Sequence, residues 1–138
     1  MTRGERNNNP GNIRNGVAQW QGAATAQPDA AFVTFTNAFW GIRALSKILL
    51  SYQRKYGLWT IREMIERWAP PGENDTAAYI AAVSQEVGVL PDDHLALGAD
   101  AAHLEKLTRA IIHHENGGVI YQDEVIQSAA EAALGVTT

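Results

Sequence analysis

From Ala38 onward the apolar positions recur at intervals of three and four. Phe39, Ile42, Leu45, Leu49, Tyr52 and Tyr56 form one stripe, which predicts a long amphipathic helix ending at Gly57. A shorter helix follows, with Thr60 as its cap and Ile61, Met64, Ile65 and Trp68 facing inward. It must stop at APPG, because Pro70 and Pro71 cannot continue it. Asn74 or Asp75 caps a third helix through Val87, closed by Gly88. VLPDDHLALG reads as a loop; Asp100 then opens a fourth helix to about Glu115, and Asp123 a fifth to Leu134. Ahead of the helices the pattern differs. Residues 17–20 and 32–36 are strand-like, the second alternating as F-V-T-F-T, and a small-residue loop separates them. They predict a small hairpin. Residues 3–16, RGERNNNPGNIRNG, hold five Asn, three Gly and a Pro, a mixture that favours turns and left-handed backbone. The expected architecture is mainly α (α+β): about five helices with a small β-hairpin lobe near the N-terminus.

Composition narrows the function. A chain of 138 residues with 46% hydrophobic content builds one core, so residues 1–138 are read as a single domain. The net charge of -4 comes with scattered rather than massed Lys and Arg, and no basic stripe suggests nucleic acid as a partner. This balance does not exclude a neutral or acidic partner such as a sugar polymer. The chain has no cysteine, which excludes disulfides and thiolate chemistry. No apolar run approaches the roughly 20 residues of a membrane span, and MTRGERNNNP lacks the apolar centre of a secretory signal. Work outside the cytoplasm would then need assisted delivery, or a signal already removed.

The last turn of the fourth helix raises a chemical question. At about 100° per residue, Leu104, Leu107, Thr108, Ile111 and Glu115 share one narrow face. Glu115 thus points with the apolar side chains. An unpaired carboxylate is costly to bury, so Glu115 is either partnered or disposed to carry a proton, the property a general acid needs. Helical phase alone leaves two plainer readings open: a swing out to solvent, or pairing with a nearby Arg.

Three motifs carry a resemblance that speaks to this choice. AIIHHENGG resembles the end of the catalytic helix in the lysozyme-like superfamily. NNNPGNIRNGVAQWQG and FVTFTNAFWGIRALSKILLSY resemble the β-lobe and following helix of flagellar-type peptidoglycan hydrolases. RGERNNNPGNIRNG, WAPPGENDTAAY and HENG together resemble phage virion-associated proteins with a lysozyme-like domain, over almost the whole chain. In flagellar-type enzymes the glutamate helix precedes the Asn-Pro-Gly turn, whereas only nine residues stand before Pro10 here. The resemblance therefore implies a circular permutation, with the Glu115 helix arriving from the C-terminal side. More than about 10 Å between Glu115 and the turn at residues 7–12, well beyond hydrogen-bond reach, would exclude that arrangement.

The resemblance implies a lysozyme-like fold and cleavage of the β-1,4 bond between N-acetylmuramic acid and N-acetylglucosamine, by hydrolysis or transglycosylation, with no cofactor. Glu115 would be the acid. Glu73 is the candidate second carboxylate, and Glu5, just before the Asn-rich turn, is the alternative acid. Asp75 shares the Glu73 reading but is better placed to cap a helix. Asn9, Asn12, Trp20, Tyr79, Asn116 and Tyr121 are the candidate sugar contacts, with Asn9 and Asn12 equally suited to holding left-handed turns. His113, His114 and Glu115 cannot converge on one metal ion from adjacent helical positions. The expected partners are peptidoglycan glycan strands and other virion proteins, in a phage particle or the host envelope. The alternative is a non-catalytic virion structural or wall-binding protein on the same fold.

Overall fold

The computed structural model describes residues 1–135. Within them lie six α-helices: α1 (Arg3–Arg6), α2 (Ala38–Tyr56), α3 (Ile61–Trp68), α4 (Thr76–Val87), α5 (Ala101–Asn116) and α6 (Asp123–Ala133). The local signals explain their limits. Thr60, Asp75 and Asp100 accept hydrogen bonds from the first-turn amides of α3, α4 and α5. Gly57, Gly88 and Gly117 end α2, α4 and α5 in the left-handed region. Three departures are small. α1, four residues capped by Thr2, is a sixth helix within the stretch read as turns. The capping position of α6 is Gln122, with Asp123 as the first helical residue. The loop before α5 contains one 3-10 turn, Leu97–Ala99, clamped by the buried amide of Gln53, which donates to the Leu95 carbonyl at 2.6 Å and accepts from the Leu97 amide at 2.9 Å.

The helices enclose one main core. α2 packs along α6 and against α5, while α4 packs against α5 and α3. Ile42, Leu45, Leu49, Leu104, Leu107 and Ile111 are wholly buried at its centre. The hydroxyls of Ser46 and Thr108, 2.9 Å apart, satisfy each other between α2 and α5. None of the helices among the described residues is long and apolar enough to cross a membrane.

The N-terminal lobe departs from the expected hairpin. Residues 17–20 pair with nothing; the extended segment around Val33 instead forms isolated antiparallel bridges, Arg14 to Phe32 and Ala23 to Phe35. Val17 is fully exposed and only Trp20 at the segment's end packs inward, so no alternating buried face fixes a register. Side chains replace the missing ladder. Asn9 is wholly buried, donates to the carbonyls of Ile13 and Val33 at 3.0 and 2.9 Å, and accepts from the Ile13 amide at 2.9 Å. Asp29 accepts both nitrogens of Arg3, the amide of Asn7, and the backbone of Ala31 and Phe32. The Arg3 guanidinium, followed by these other donors, holds the Asp29 carboxyl far below the usual carboxylate range.

This settles the place of Asn9. It is a structural residue closed off from any ligand, a correction to its reading as a sugar contact. Nor does it hold a left-handed turn: the left-handed residues are Asn8 and Asn12, both at φ 52°. Asn9→Ala would leave buried backbone groups of Ile13 and Val33 unpaired, at about 1–3 kcal/mol for each such group. We expect its urea unfolding midpoint to fall accordingly, with an unchanged slope.

Candidate functional site

The buried stripe of α5 brings Glu115 to the meeting point of lobe and bundle. Leu104, Leu107, Thr108 and Ile111 on the same face are wholly buried, whereas Glu115, one turn further, is only half-buried. Its two oxygens each have a donor. Asn12 Nδ2 donates to Oε1 at 3.2 Å, and the Tyr79 hydroxyl donates to Oε2 at 2.9 Å. Glu115 is therefore partnered within the site, not swung out and not paired with an Arg.

Each donor has its own support. Tyr79 projects from α4, is 2% exposed, and has its ring stacked on His114 with centroids 3.7 Å apart. Burial, and then the charge of Glu115, pushes its phenol well above the usual range; an indole N–H from Trp68 acts in the opposite sense. Tyr79 thus stays a neutral donor. Asn12 sits on the Asn-rich turn, which α5 itself holds. Asn116 Nδ2 donates to the Pro10 carbonyl at 2.7 Å and to the Ile112 carbonyl at 2.8 Å, while its oxygen accepts from the Thr2 hydroxyl at 2.8 Å. The N-terminal turn and the end of α5 are tied together one residue from Glu115.

Glu115 opens onto a cleft of about 460 Å³. It is lined by the turn at residues 11–14 with Phe32, by Ile48 and Tyr52 of α2, by Trp68 at the end of α3, and by the following loop that carries Glu73 and Asn74. A solvent-open groove lined by a hydrogen-bonded carboxyl and by the aromatic rings of Phe32, Tyr52 and Trp68 suits a polar ligand with apolar ring faces. No group of residues with the makings of a metal site occurs among the described residues.

The structure sorts the candidates from the sequence. Glu115, Asn12 and Tyr79 form one hydrogen-bonded unit, and exposed Glu73 shares the cleft with it. Asp75 caps α4, accepting from the Ala78 amide at 3.1 Å. Asn116 spends its amide on the turn and lies outside the cleft lining, so it is a tie and not a ligand contact. Trp20 packs on the small core of Ile13, Val33, Phe35 and Ala44, away from the cleft. Tyr121 packs on the main core; burial, and then the charge of Glu5, pushes its phenol up to about 12. Glu5 lies on α1 on that side and does not line the cleft. It is corrected as a candidate acid on position, not on mobility, since Thr2 caps α1 and is anchored to Asn116.

Sequence reasoning missed Arg14 and Tyr52 in the cleft and assigned Trp68 to the core alone. Trp68 serves both, packing on the main core while lining the groove. Nothing in the linear pattern marked Arg14, one cation in a run of polar turn residues.

The sequence matches no model of a known protein family. It is similar, however, to a phage protein. Protein P5 of Pseudoalteromonas phage PM2 is 39% identical over 132 residues, which cover 94% of this chain and 80% of that protein. Identity at this level across most of both chains means shared descent and a shared fold, and this chain belongs to the family of phage PM2 protein P5.

Proposed function

We propose that this protein is a peptidoglycan-cleaving glycosidase of lysozyme-like, circularly permuted architecture, carried by a phage to the bacterial envelope. One observation carries the reading: a glutamate at a helix end, held by Asn12 and Tyr79, lining an open cleft. The tie between Asn116 and Pro10 supports the permutation, because it brings the C-terminal glutamate helix to the N-terminal turn. Kinship with a phage protein supports the setting, with other virion proteins as further partners.

The chemistry needs two proton transfers through one carboxyl group. Glu115 gives its proton to the bridging oxygen as the bond from that oxygen to the anomeric carbon breaks and positive charge builds on the sugar ring. The resulting carboxylate then takes a proton from the group that attacks the anomeric carbon. That group is water in a hydrolase, or the sugar's own C6 hydroxyl in a transglycosylase, which closes an anhydro ring. Each carboxylate oxygen has two lone-pair directions, so the donors from Asn12 and Tyr79 leave a direction on each for the substrate. The Tyr79 hydroxyl can also rotate to accept, following Glu115 through its change of protonation. Glu73, exposed in the cleft lining, is suited to guide water in the hydrolytic route. The lack of a second carboxyl fixed beside Glu115 favours the single-glutamate route.

Mass spectrometry of fragments released from purified cell wall tests this directly. An anhydro end and a reducing end differ by one water. Absence of both, with no loss of wall turbidity, would end the enzymatic reading; co-sedimentation with the wall would then leave a binding module. Tyr79→Phe keeps the ring stacked on His114 but removes one donor from Glu115. We expect clearing to slow about tenfold, the worth of one hydrogen bond to a charged group, with little change in substrate affinity.

A further inference from the structure

The cleft contains a charge that this chemistry does not use. Among the described residues that line it, Arg14 is the sole cation. Its guanidinium carbon lies 5.1 Å from the centre of the Phe32 ring, and the backbones of the two residues form a β-bridge, so ring and bridge together fix where the side chain reaches. Arg3 lies over the same ring at 4.6 Å. Two guanidiniums on one ring repel unless counter-charges are present. Arg3 has its own, in Asp29 at 2.6 and 2.7 Å. Arg14 takes part in no ion pair among the described residues. The lobe therefore presents to the groove an aromatic-supported cation with no ion-pair partner among the described residues, beside a paired twin; the cleft's carboxyls, Glu73 and Glu115, form no ion pair with it.

We propose that Arg14 is a specificity residue that binds a carboxylate on the glycan strand, so that the cleft selects an acidic over a neutral polysaccharide. This rests on reading the cleft as a glycan site. A guanidinium meets a carboxylate through paired parallel N–H donors, a contact that a neutral N-acetylated chain cannot return. The carboxylate has two sources in peptidoglycan: the lactyl ether itself once its peptide is removed, or the peptide stem attached to it.

Binding to the Glu115→Gln protein, which should not turn substrate over, tests this with three soluble probes of matched length. They are glycan strands with intact stems, strands stripped by an amidase to bare lactyl carboxylates, and neutral chitin oligosaccharide. In that background Arg14→Gln should weaken binding of a carboxylated probe by about tenfold, collapsing its advantage over chitin. Arg14→Lys should restore part of it, and added salt should shrink the effect, since the pair is exposed. Loss confined to stem-bearing strands would place the carboxylate on the stem, loss confined to stripped strands would place it on the lactyl group, and loss with both would mean that Arg14 takes either carboxylate. Equal weakening of all three probes, or of none, overturns the proposal while sparing the glycan reading. If no probe binds even with Arg14 intact, and wild-type protein releases no fragments, the glycan reading falls and this inference with it.

Discussion

Glu115→Gln folds like wild type and clears cell wall slower by about a hundredfold to ten-thousandfold, the span of general acid catalysis. The substitution keeps size and shape but removes the transferable proton. Its local consequence is modest, which makes it a clean test. The new amide still offers an oxygen to one donor, and the other contact is recovered by rotation of the Tyr79 hydroxyl or reversal of the Asn12 amide. Glu115→Ala is a poorer probe, because it leaves the mostly buried Tyr79 hydroxyl without its partner. The measurements are turbidity loss and the thermal melt together. Equal clearing by Glu115→Gln would move the acid to Glu73, the other carboxyl of the cleft.

Gly41→Ala should have the largest effect on the fold. Gly41 faces the Asn-rich turn from the first part of α2, and a methyl group there would lie 1.9 Å from the carbonyl oxygen of Asn8 and 3.0 Å from its carbon. The obstacle is backbone, so no side chain can rotate out of the way. Nor can the turn retreat freely. Asn8 donates to the Phe35 carbonyl, the Asn7 carbonyl accepts from the Phe35 amide, and Asn9 is bonded on three sides. Overpacking of this kind costs about 1–3 kcal/mol or more, a fall in Tm on the order of 5–10 °C for a small domain. Any turn that does form is pushed off α2 and carries Asn12 away from Glu115. The variant should thus lose wall clearing out of proportion to its folded fraction, measured by circular dichroism and activity at one temperature. Wild-type stability would show that the turn does not rest on α2 at Gly41.

The helices were legible because their signals are local. The cap at Thr60, the stop at APPG and the glycines after α2, α4 and α5 act within one turn of the chain, and a stripe of period 3.6 needs no knowledge of its partner. The lobe was not legible in this way. Its order comes from side-chain bonds that span 22 to 26 residues, such as Asn7 and Arg3 to Asp29, and such pairs leave no periodic trace. Alternation in F-V-T-F-T identified an extended segment but not its partners, which proved to be the stretches around Arg14 and Ala23.

The site divides in the same manner. The phase of α5 pointed Glu115 inward, and the asparagine run marked a turn with unusual backbone. The sequence could not choose among Glu115, Glu73 and Glu5, because a carboxyl's role depends on what surrounds it. Nor could it separate Asn9 from Asn12, two positions in one run. Asn9 is sealed beneath the lobe, while Asn12 reaches the carboxyl of a residue 103 positions away.

By itself, then, the sequence determined helices α2 to α6, their ends to within a residue or two and the direction of the α5 face, since propensity, capping and helical phase are set by neighbours along the chain; it did not mark α1. The tertiary structure alone decided which polar groups meet: Tyr79 and Asn12 on Glu115, Asn116 on Pro10, Arg14 unpaired over Phe32. Hydrogen bonds and charges act over a few ångströms of space, and only folding converts distance along the chain into such proximity.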